Sequence, residues 1–192
     1  MKDIIKFSFT FVFLFIFGLA GAQPKQYTTA NAHSHNDYLN KRPFYTAYKN
    51  EFASIEADVF PVNGKLHVAH SKKEIKPENT LKRLYLDPLA AELTLNPVRR
   101  LKLLIDIKEN YKESLSLLLN EIHPVQQYLS TSADTRSLTI LITGNRPPPS
   151  EYKNYPSYIF FDDDLKLMHQ ANQWERVGLV SLSFSKFSAW KG

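Results

Sequence analysis

Two short apolar runs constrain the fold of this chain more than any other feature. Residues 101–107 read LKLLIDI and residues 138–143 read LTILIT. Runs of this length are typical of strands covered on both faces, as in a parallel sheet, whereas a half-exposed strand alternates apolar and polar residues. Further β-rich segments predict strands at residues 29–33, 53–60, 158–161 and 178–184. The sequence therefore predicts about six major strands in a largely parallel sheet.

Helix-length segments separate these strands and predict an α/β fold with helical crossovers. The Asn63-Gly64 pair predicts a tight turn that folds residues 65–70 back beside the second strand. A closed (β/α)8 barrel takes about 250 residues, so a chain of 192 residues predicts either a smaller open sheet or a barrel incomplete at its C-terminus. The predicted helices cover residues 43–51, 81–93, 111–129 and 165–173.

The first 22 residues are typical of a secretory signal peptide. The basic residues Lys2 and Lys6 precede an apolar stretch over residues 7–19, and small residues ending at Ala22 form a cleavage site. The stretch is shorter than the roughly 20 apolar residues that span a bilayer, although an uncleaved anchor is the alternative. We expect cleavage near Ala22 and a secreted or periplasmic domain of residues 23–192. The chain has no cysteine, so this domain would need no disulfide framework.

The net charge of +5 gives little indication of a nucleic-acid partner. Basic residues occur as scattered pairs, such as Lys41-Arg42 and Lys72-Lys73, and form no long block. A solvated basic surface explains this pattern, so we expect no nucleic-acid binding.

Glu56 and Asp58 interrupt an otherwise apolar segment, SIEADVF. Alternate residues of a strand point to the same face, so these two carboxylates would lie side by side. Acidic residues are depleted in strands and costly to bury unpaired, and the pair therefore predicts a metal-binding or catalytic role. Ordinary surface residues are the alternative.

Asp106 and Lys108 repeat the same spacing in the segment LLIDIK. Taken alone, they predict a simple ion pair. Taken with Asn36 and the acidic pair Glu56 and Asp58, Asp106 would complete an all-oxygen ligand set. Oxygen ligands favour Ca²⁺ or Mg²⁺ over zinc, so we expect one divalent cation.

His35 and His70 lie on either side of the acidic pair Glu56 and Asp58 in the chain. Two imidazoles beside a bound cation can act as general base and general acid in phosphodiester cleavage, an effect worth about 10²- to 10⁴-fold in rate. The His33-x-His35 spacing leaves a second interpretation open, the paired zinc ligands of an amidohydrolase. That interpretation needs histidines at later strand ends, and the chain offers only His123 and His169, in helical or loop contexts.

These motifs together resemble the PLC-like phosphodiesterases, which include glycerophosphodiester phosphodiesterases and phosphatidylinositol-specific phospholipases C. The resemblance is greatest to the altered-inheritance-of-mitochondria branch, which begins with an HSHNDY box. The order and spacing agree from about Ala32 to Pro147. The matching motifs are HSHNDY at residues 33–38, IEADV at 55–59, VAH at 68–70, IDIK at 105–108 and GNRP at 144–147.

The resemblance implies a TIM-type barrel with its site at the carboxyl ends of the strands. It implies hydrolysis of a glycerophosphodiester or phospholipid-like headgroup, with room for peripheral contact with a membrane and no obligate protein partner. By position, the implied acid and base are His35 and His70, the implied cation ligands are Asn36, Glu56, Asp58 and Asp106, and the implied phosphate contacts are Lys108 and Arg146.

Two departures from the family pattern shape these expectations. Glycerophosphodiesterases usually carry His-Arg-Gly in the first box, whereas this chain has His35-Asn36-Asp37, which is nearer to the phospholipase C pattern. The PENT string at residues 77–80 follows His70, so Glu78 is not assigned as a ligand. Two further hypotheses stay open: a degenerate or truncated headgroup-binding module without turnover and, less favoured, the zinc amidohydrolase.

Overall fold

A computed structural model describes residues 26–183 together with residues 188 and 189. The predicted signal peptide lies outside the described residues, as does residue 184 at the end of the last predicted strand. The described part of the chain contains seven strands: β1 His33–Ser34, β2 Ser54–Val62, β3 Lys65–Val68, β4 Leu101–Ile107, β5 Leu138–Gly144, β6 Ile159–Asp163 and β7 Val177–Val180.

The strands form one sheet in the order β1-β2-β4-β5-β6-β7, with every neighbouring pair parallel. The strand β3 is added to β2 in antiparallel orientation. Sheet order follows chain order without the reversal that marks a doubly wound fold. The sheet curls into half of a barrel. The predicted α/β class is confirmed, and the curled sheet is compatible with an incomplete TIM-type barrel.

The helices pack against one face of the sheet. Outward-facing strand residues such as Ile55, Ile105 and Phe161 are fully buried and share one core with helix residues such as Leu89 and Leu115. Because side chains alternate along a strand, the opposite face carries the polar residues described below. The helices are α1 Tyr45–Lys49, α2 Asp87–Leu95, α3 Tyr111–Glu121 and α4 Ala171–Trp174.

The predicted hairpin between β2 and β3 is confirmed. Asn63 has φ 48° and Gly64 has φ 72°, both in the left-handed region that a type I′ turn requires. The turn pairs Val62 with Lys65 and continues the antiparallel register to Val59 and Val68. The hairpin thereby brings the segment that ends in His70 back toward the end of β2.

Proline residues divide two of the predicted helices. A π-helical turn, Lys82–Leu86, precedes α2, and Pro88 lies at the second position of α2. Proline donates no hydrogen bond and its ring clashes with the preceding turn, which explains the widened turn. Pro124 likewise lies at the second position of the 3₁₀ helix His123–Tyr128, which follows the end of α3 at Glu121.

Two other predicted elements were wrong over most of their length. Residues 29–33 form the 3₁₀ helix Thr29–Asn31 before the short β1, because the Thr28 side chain accepts a hydrogen bond from the Ala30 amide and caps a turn. Residues 165–170 are not helical, and helix α4 begins only at Ala171. There the Asp163 carboxylate accepts a hydrogen bond from the amide of Leu165, whose φ is 55°.

Within the described residues, every helix falls short of the length and apolar character needed to cross a membrane.

Candidate metal centre and active site

Three carboxylates meet on the inner face of the sheet, the face away from the helices. Glu56 and Asp58 alternate with core residues along β2, and Asp106 on β4 is the register partner of Asp58. Ligand oxygens from the three side chains all lie within 4.8 Å of one another. We refer to Glu56, Asp58 and Asp106 as the acidic cluster. Two members are buried and Asp106 is half-buried.

Lys108 supplies positive charge to the acidic cluster. Its Nζ lies 2.7 Å from Asp58 Oδ2 and 2.6 Å from Asp106 Oδ2. The ion pair predicted between Asp106 and Lys108 therefore forms, and it extends to Asp58. One ammonium group balances only part of the charge of three carboxylates, which leaves a net negative site.

One oxygen of the acidic cluster has no hydrogen-bond partner among the described residues. Asp58 is 0% exposed, and its Oδ1 is buried without a hydrogen bond from any described residue. A buried carboxylate oxygen in this state is costly unless a cation or another donor meets it. The acidic cluster carries more negative charge than Lys108 balances. Its oxygens, including the free Oδ1 of Asp58, therefore fit a small divalent cation.

Gly144 makes room for the third carboxylate. It has φ +71°, and a Cβ added there would lie 1.9 Å from Asp106 Oδ1 and 2.5 Å from the carbonyl oxygen of Ile107. Any side chain at this position would therefore collide with the carboxylate. The glycine at the end of β5 is part of the site, although it offers no ligand.

Two histidines border the acidic cluster from different segments. His70, which follows β3, has Nδ1 3.1 Å from Asp58 Oδ2, and His35, which follows β1, has Nε2 3.6 Å from Glu56 Oε2. Their side chains are 59% and 72% exposed. Both imidazoles are thus accessible from solvent while one nitrogen of each faces a carboxylate.

His33 is engaged differently from a zinc ligand. Its Nδ1 lies 2.9 Å from Ser54 Oγ and its Nε2 lies 3.3 Å from Glu56 Oε2, so both ring nitrogens have partners. The later histidines, His123 and His169, pair with Gln126 and Asp163. The amidohydrolase interpretation requires a cluster of metal ligands that includes His33 and His35. Among the described residues, the structure shows no such cluster of three or more ligands.

Asn36 lies beside the acidic cluster through its backbone as well as its side chain. Its amide donates to Glu56 Oε2 at 3.2 Å, and its Oδ1 lies 3.1 Å from the Tyr38 hydroxyl. Asn36 has φ 48°, a left-handed conformation that asparagine tolerates better than most residues. The next residue, Asp37, is completely buried and holds this loop in place.

The surroundings shift the pKa values of Glu56 and Asp106 in opposite directions. Burial tends to raise the pKa of Glu56, but hydrogen bonds from His33 and the Asn36 amide outweigh it and leave that pKa lowered. Burial raises the pKa of Asp106, and the hydrogen bond from Lys108 offsets only part of that increase.

Most of the predicted site residues come together, and Arg146 is the exception. Its guanidinium lies 3.5 Å from Asp164 Oδ1, on the side of the loops that follow β5 and β6. This ion pair engages Arg146 outside the acidic cluster.

Sequence reasoning missed three residues at this rim of the sheet. Tyr38 donates a 2.7 Å hydrogen bond to Asp58 Oδ2, and Gly144 accommodates Asp106. Asp162 on β6 is buried on the same face and accepts hydrogen bonds from the hydroxyls of Thr143 and Ser181. The sequence signals were the positions of Tyr38 in the HSHNDY box and of Gly144 in the GNRP motif, and the acidic pair that closes the β6 segment.

A parallel sheet that gathers carboxylates and imidazoles at the carboxyl ends of its strands is the arrangement of many α/β enzymes. Residues 24–98 match the AIM6-like phosphodiesterase domain family. The predicted resemblance to the altered-inheritance-of-mitochondria branch of a phosphodiesterase-like family is thereby confirmed.

Fungal relatives show the same likeness over a longer stretch. An altered inheritance of mitochondria protein 6 homolog of Arthroderma benhamiae is 30% identical over 166 residues, covering 70% of this chain and 53% of the relative. The altered inheritance of mitochondria protein 6 of Eremothecium gossypii is 32% identical, covering 69% of this chain and 42% of the relative. This chain thus spans about half or less of these relatives. No solved structure matches it.

Proposed function

We propose that this protein is a metal-dependent phosphodiesterase that cleaves a glycerophosphodiester or a phospholipid-like headgroup. The observation that carries the proposal is the acidic cluster, with its unpartnered Asp58 Oδ1 and a histidine on either side. The AIM6-like phosphodiesterase domain over residues 24–98 supports the choice of a phosphodiester as substrate.

The proposed cation ligands are Glu56, Asp58 and Asp106, with Asn36 beside them. Their oxygen donors fit Ca²⁺ or Mg²⁺. When bound, such an ion would polarise the phosphoryl group and lower the pKa of an attacking hydroxyl. Lys108 would balance the remaining charge and offer an ammonium contact to the phosphate.

The proposed proton-transfer groups are His70 and His35. If Nδ1 of His70 donates to Asp58 Oδ2, 3.1 Å away, the Asp58 carboxylate fixes the ring and leaves Nε2 to exchange protons. His35 has its Nε2 beside Glu56 and most of its side chain in solvent. One imidazole would accept the proton of the attacking hydroxyl, and the other would protonate the departing alkoxide.

The nucleophile we propose is a neighbouring hydroxyl of the substrate, which would give a cyclic phosphate. This proposal follows from the phospholipase C-like first box, His35-Asn36-Asp37. We also propose export after cleavage near Ala22, a small-molecule substrate approached from solvent or from a membrane surface, and no nucleic-acid partner.

The test is turnover of glycerophosphodiesters and of phospholipids by the purified chain, with and without a chelator. His35→Ala and His70→Ala should each lower the rate by about 10²- to 10⁴-fold. His123→Ala, which removes a histidine remote from the acidic cluster in sequence and paired with Gln126, is the matched control. Full activity in both site variants, or activity indifferent to the chelator, would refute the proposal.

A second candidate function is headgroup or phosphate binding without turnover. It is favoured by one observation, that Lys108 Nζ places a positive charge 2.7 Å from Asp58 Oδ2 and 2.6 Å from Asp106 Oδ2, where it could contact a phosphate without a cation. Calorimetric binding of glycerophosphocholine together with no product over a long incubation would support it over catalysis.

A further inference from the structure

Three donors meet on a single oxygen of Asp58. The Tyr38 hydroxyl donates to Asp58 Oδ2 at 2.7 Å, Lys108 Nζ lies 2.7 Å away and His70 Nδ1 lies 3.1 Å away. The other oxygen, Oδ1, has no partner among the described residues. This asymmetry divides the carboxylate into a held oxygen and a free oxygen.

Tyr38 differs from the other two donors because its hydroxyl is neutral and donates without any change in protonation. Its hydroxyl has one hydrogen, and the charged Asp58 carboxylate, at the shorter distance, takes it in preference to Asn36 Oδ1 at 3.1 Å. The same hydroxyl lies 3.4 Å from His70 Nδ1. The Tyr38 hydroxyl therefore lies close to two candidate cation ligands, Asp58 and Asn36, and to one candidate acid or base, His70.

We propose that Tyr38 is a positioning residue of the cation site, which fixes Asp58 so that Oδ1 is the oxygen left for the cation. This inference rests on the proposed cation-dependent function. Without the hydroxyl, Asp58 could rotate about its side-chain bonds and share both oxygens with Lys108 and His70. The carboxylate would then have to be reoriented before it could bind a cation, and that cost would appear as weaker affinity.

The chain contains a matched control for this hydrogen bond. The Tyr85 hydroxyl donates a hydrogen bond to Asp37 Oδ2 at 3.1 Å, and this bond also joins a tyrosine to a buried aspartate. Asp37 lies outside the acidic cluster. Tyr85→Phe removes the same chemical group with a stability cost of its own, but leaves the contacts of Asp58 untouched.

The experiment is isothermal titration calorimetry of Ca²⁺ alone and of Mg²⁺ alone against the wild-type chain, Tyr38→Phe and Tyr85→Phe. Loss of a partner that orients a metal ligand typically weakens metal binding about 10- to 100-fold, and we expect that loss for Tyr38→Phe. Tyr85→Phe should bind within about twofold of the wild type. Circular dichroism and thermal unfolding without added metal establish that each variant is folded.

Each outcome has a distinct meaning. If the wild type binds neither cation, the proposed function loses its cation, and the inference about Tyr38 falls with it. If the wild type binds and Tyr38→Phe binds equally well, only the inference about Tyr38 is overturned. If both tyrosine variants weaken binding equally, the effect is one of general stability, which also overturns it. A Tyr38→Phe chain that does not fold in saturating Ca²⁺ would show a structural role instead.

Discussion

Asp37 and Asp58 are both completely buried, yet their surroundings differ in a way that separates structure from chemistry. Asp37 Oδ1 accepts hydrogen bonds from Ser34 and Asn40, and Asp37 Oδ2 accepts them from the Phe44 amide and the Tyr85 hydroxyl. All four donors are neutral and both oxygens are satisfied. The Asp37 carboxylate is therefore complete without any ligand.

Asp58 has the opposite arrangement. Its Oδ2 receives Lys108, His70 and Tyr38, while its Oδ1 receives no described donor. It also has two acidic neighbours at close range, whereas Asp37 lies outside the acidic cluster. Burial alone thus does not identify a functional carboxylate. The informative signs are a free oxygen and an excess of like charge around it.

The largest effect we expect is on folding, from Asp37→Ala. This change leaves three buried donors, on Ser34, Phe44 and Tyr85, without an acceptor. At about 1–3 kcal/mol for each unsatisfied group, the free energy of unfolding should fall by at least about 3 kcal/mol. Urea denaturation measures it. The control is Asp134→Ala, which removes a half-exposed carboxylate paired with Arg136 and should cost no more than about 1 kcal/mol. A loss below about 1 kcal/mol for Asp37→Ala would contradict the structural role given to the Asp37 carboxylate.

The next effect separates two glycines with nearly identical φ angles. Gly144 has φ +71° with Asp106 in contact, and Gly64 has φ +72° with nothing within 4 Å of an added Cβ. Gly64→Ala should cost only the left-handed conformation, about 1–2 kcal/mol. Gly144→Ala should cost clearly more, because the Cβ displaces Asp106, and it should also abolish cation binding. Urea denaturation and calorimetry check both, and equal costs would show that the Asp106 contact is unimportant.

Asp58→Asn tests the free oxygen directly. At a cation concentration of 100 times the Kd, a bound cation should raise the unfolding free energy of the wild type by about 2.7 kcal/mol. The variant should gain almost nothing, because it lacks the carboxylate. Asp162→Asn changes a buried aspartate on the same face but outside the acidic cluster, so it should keep the full gain. Thermal unfolding with and without Ca²⁺ distinguishes them, and a full gain in Asp58→Asn would contradict the assignment.

The smallest effect concerns Lys108 at alkaline pH. Burial lowers its pKa, but the hydrogen bonds and charges of Asp106 and Asp58 outweigh burial, so the folded-state pKa is raised. The stabilisation by Lys108 is therefore fully present below the unfolded-state pKa of about 10.4 and is lost as the pH rises through the higher folded-state value. The stability difference between the wild type and Lys108→Met should shrink in that range.

The pH dependence of unfolding, measured in the absence of metal ions, checks this prediction. Lys153→Met, at an exposed position, is the control for general alkaline effects. A difference between the wild type and Lys108→Met that stays constant through the alkaline range would contradict the role given to the two carboxylates.

The central strands and the carboxylates could be predicted from the sequence because both depend on short-range periodicity. The apolar runs of β4 and β5 and the Asn63-Gly64 turn occur where they were predicted. The same-face spacing of Glu56 and Asp58 brings both into the acidic cluster. Local patterns suffice here because alternation along a strand is fixed by backbone geometry.

The remainder depended on contacts between segments far apart in the chain. Gly144 lies against Asp106 only because β4 and β5 are neighbours, and a lone glycine in the sequence does not show that contact. Tyr38 reaches Asp58 through a loop whose left-handed Asn36 no periodicity predicts. The helix expected after β6 was wrong because the Asp163 side chain turns the chain at Leu165.

The order of the strands has a further consequence for how such a site could change over evolution. The acidic cluster and both flanking histidines come from β1 to β4 and the loops beside them, while β5 contributes only the space over Gly144. The loops after β5, β6 and β7 are thus free of proposed cation ligands. Insertions there could select a different substrate while the reactive centre stays the same, so chemistry and selectivity would diverge at separate rates.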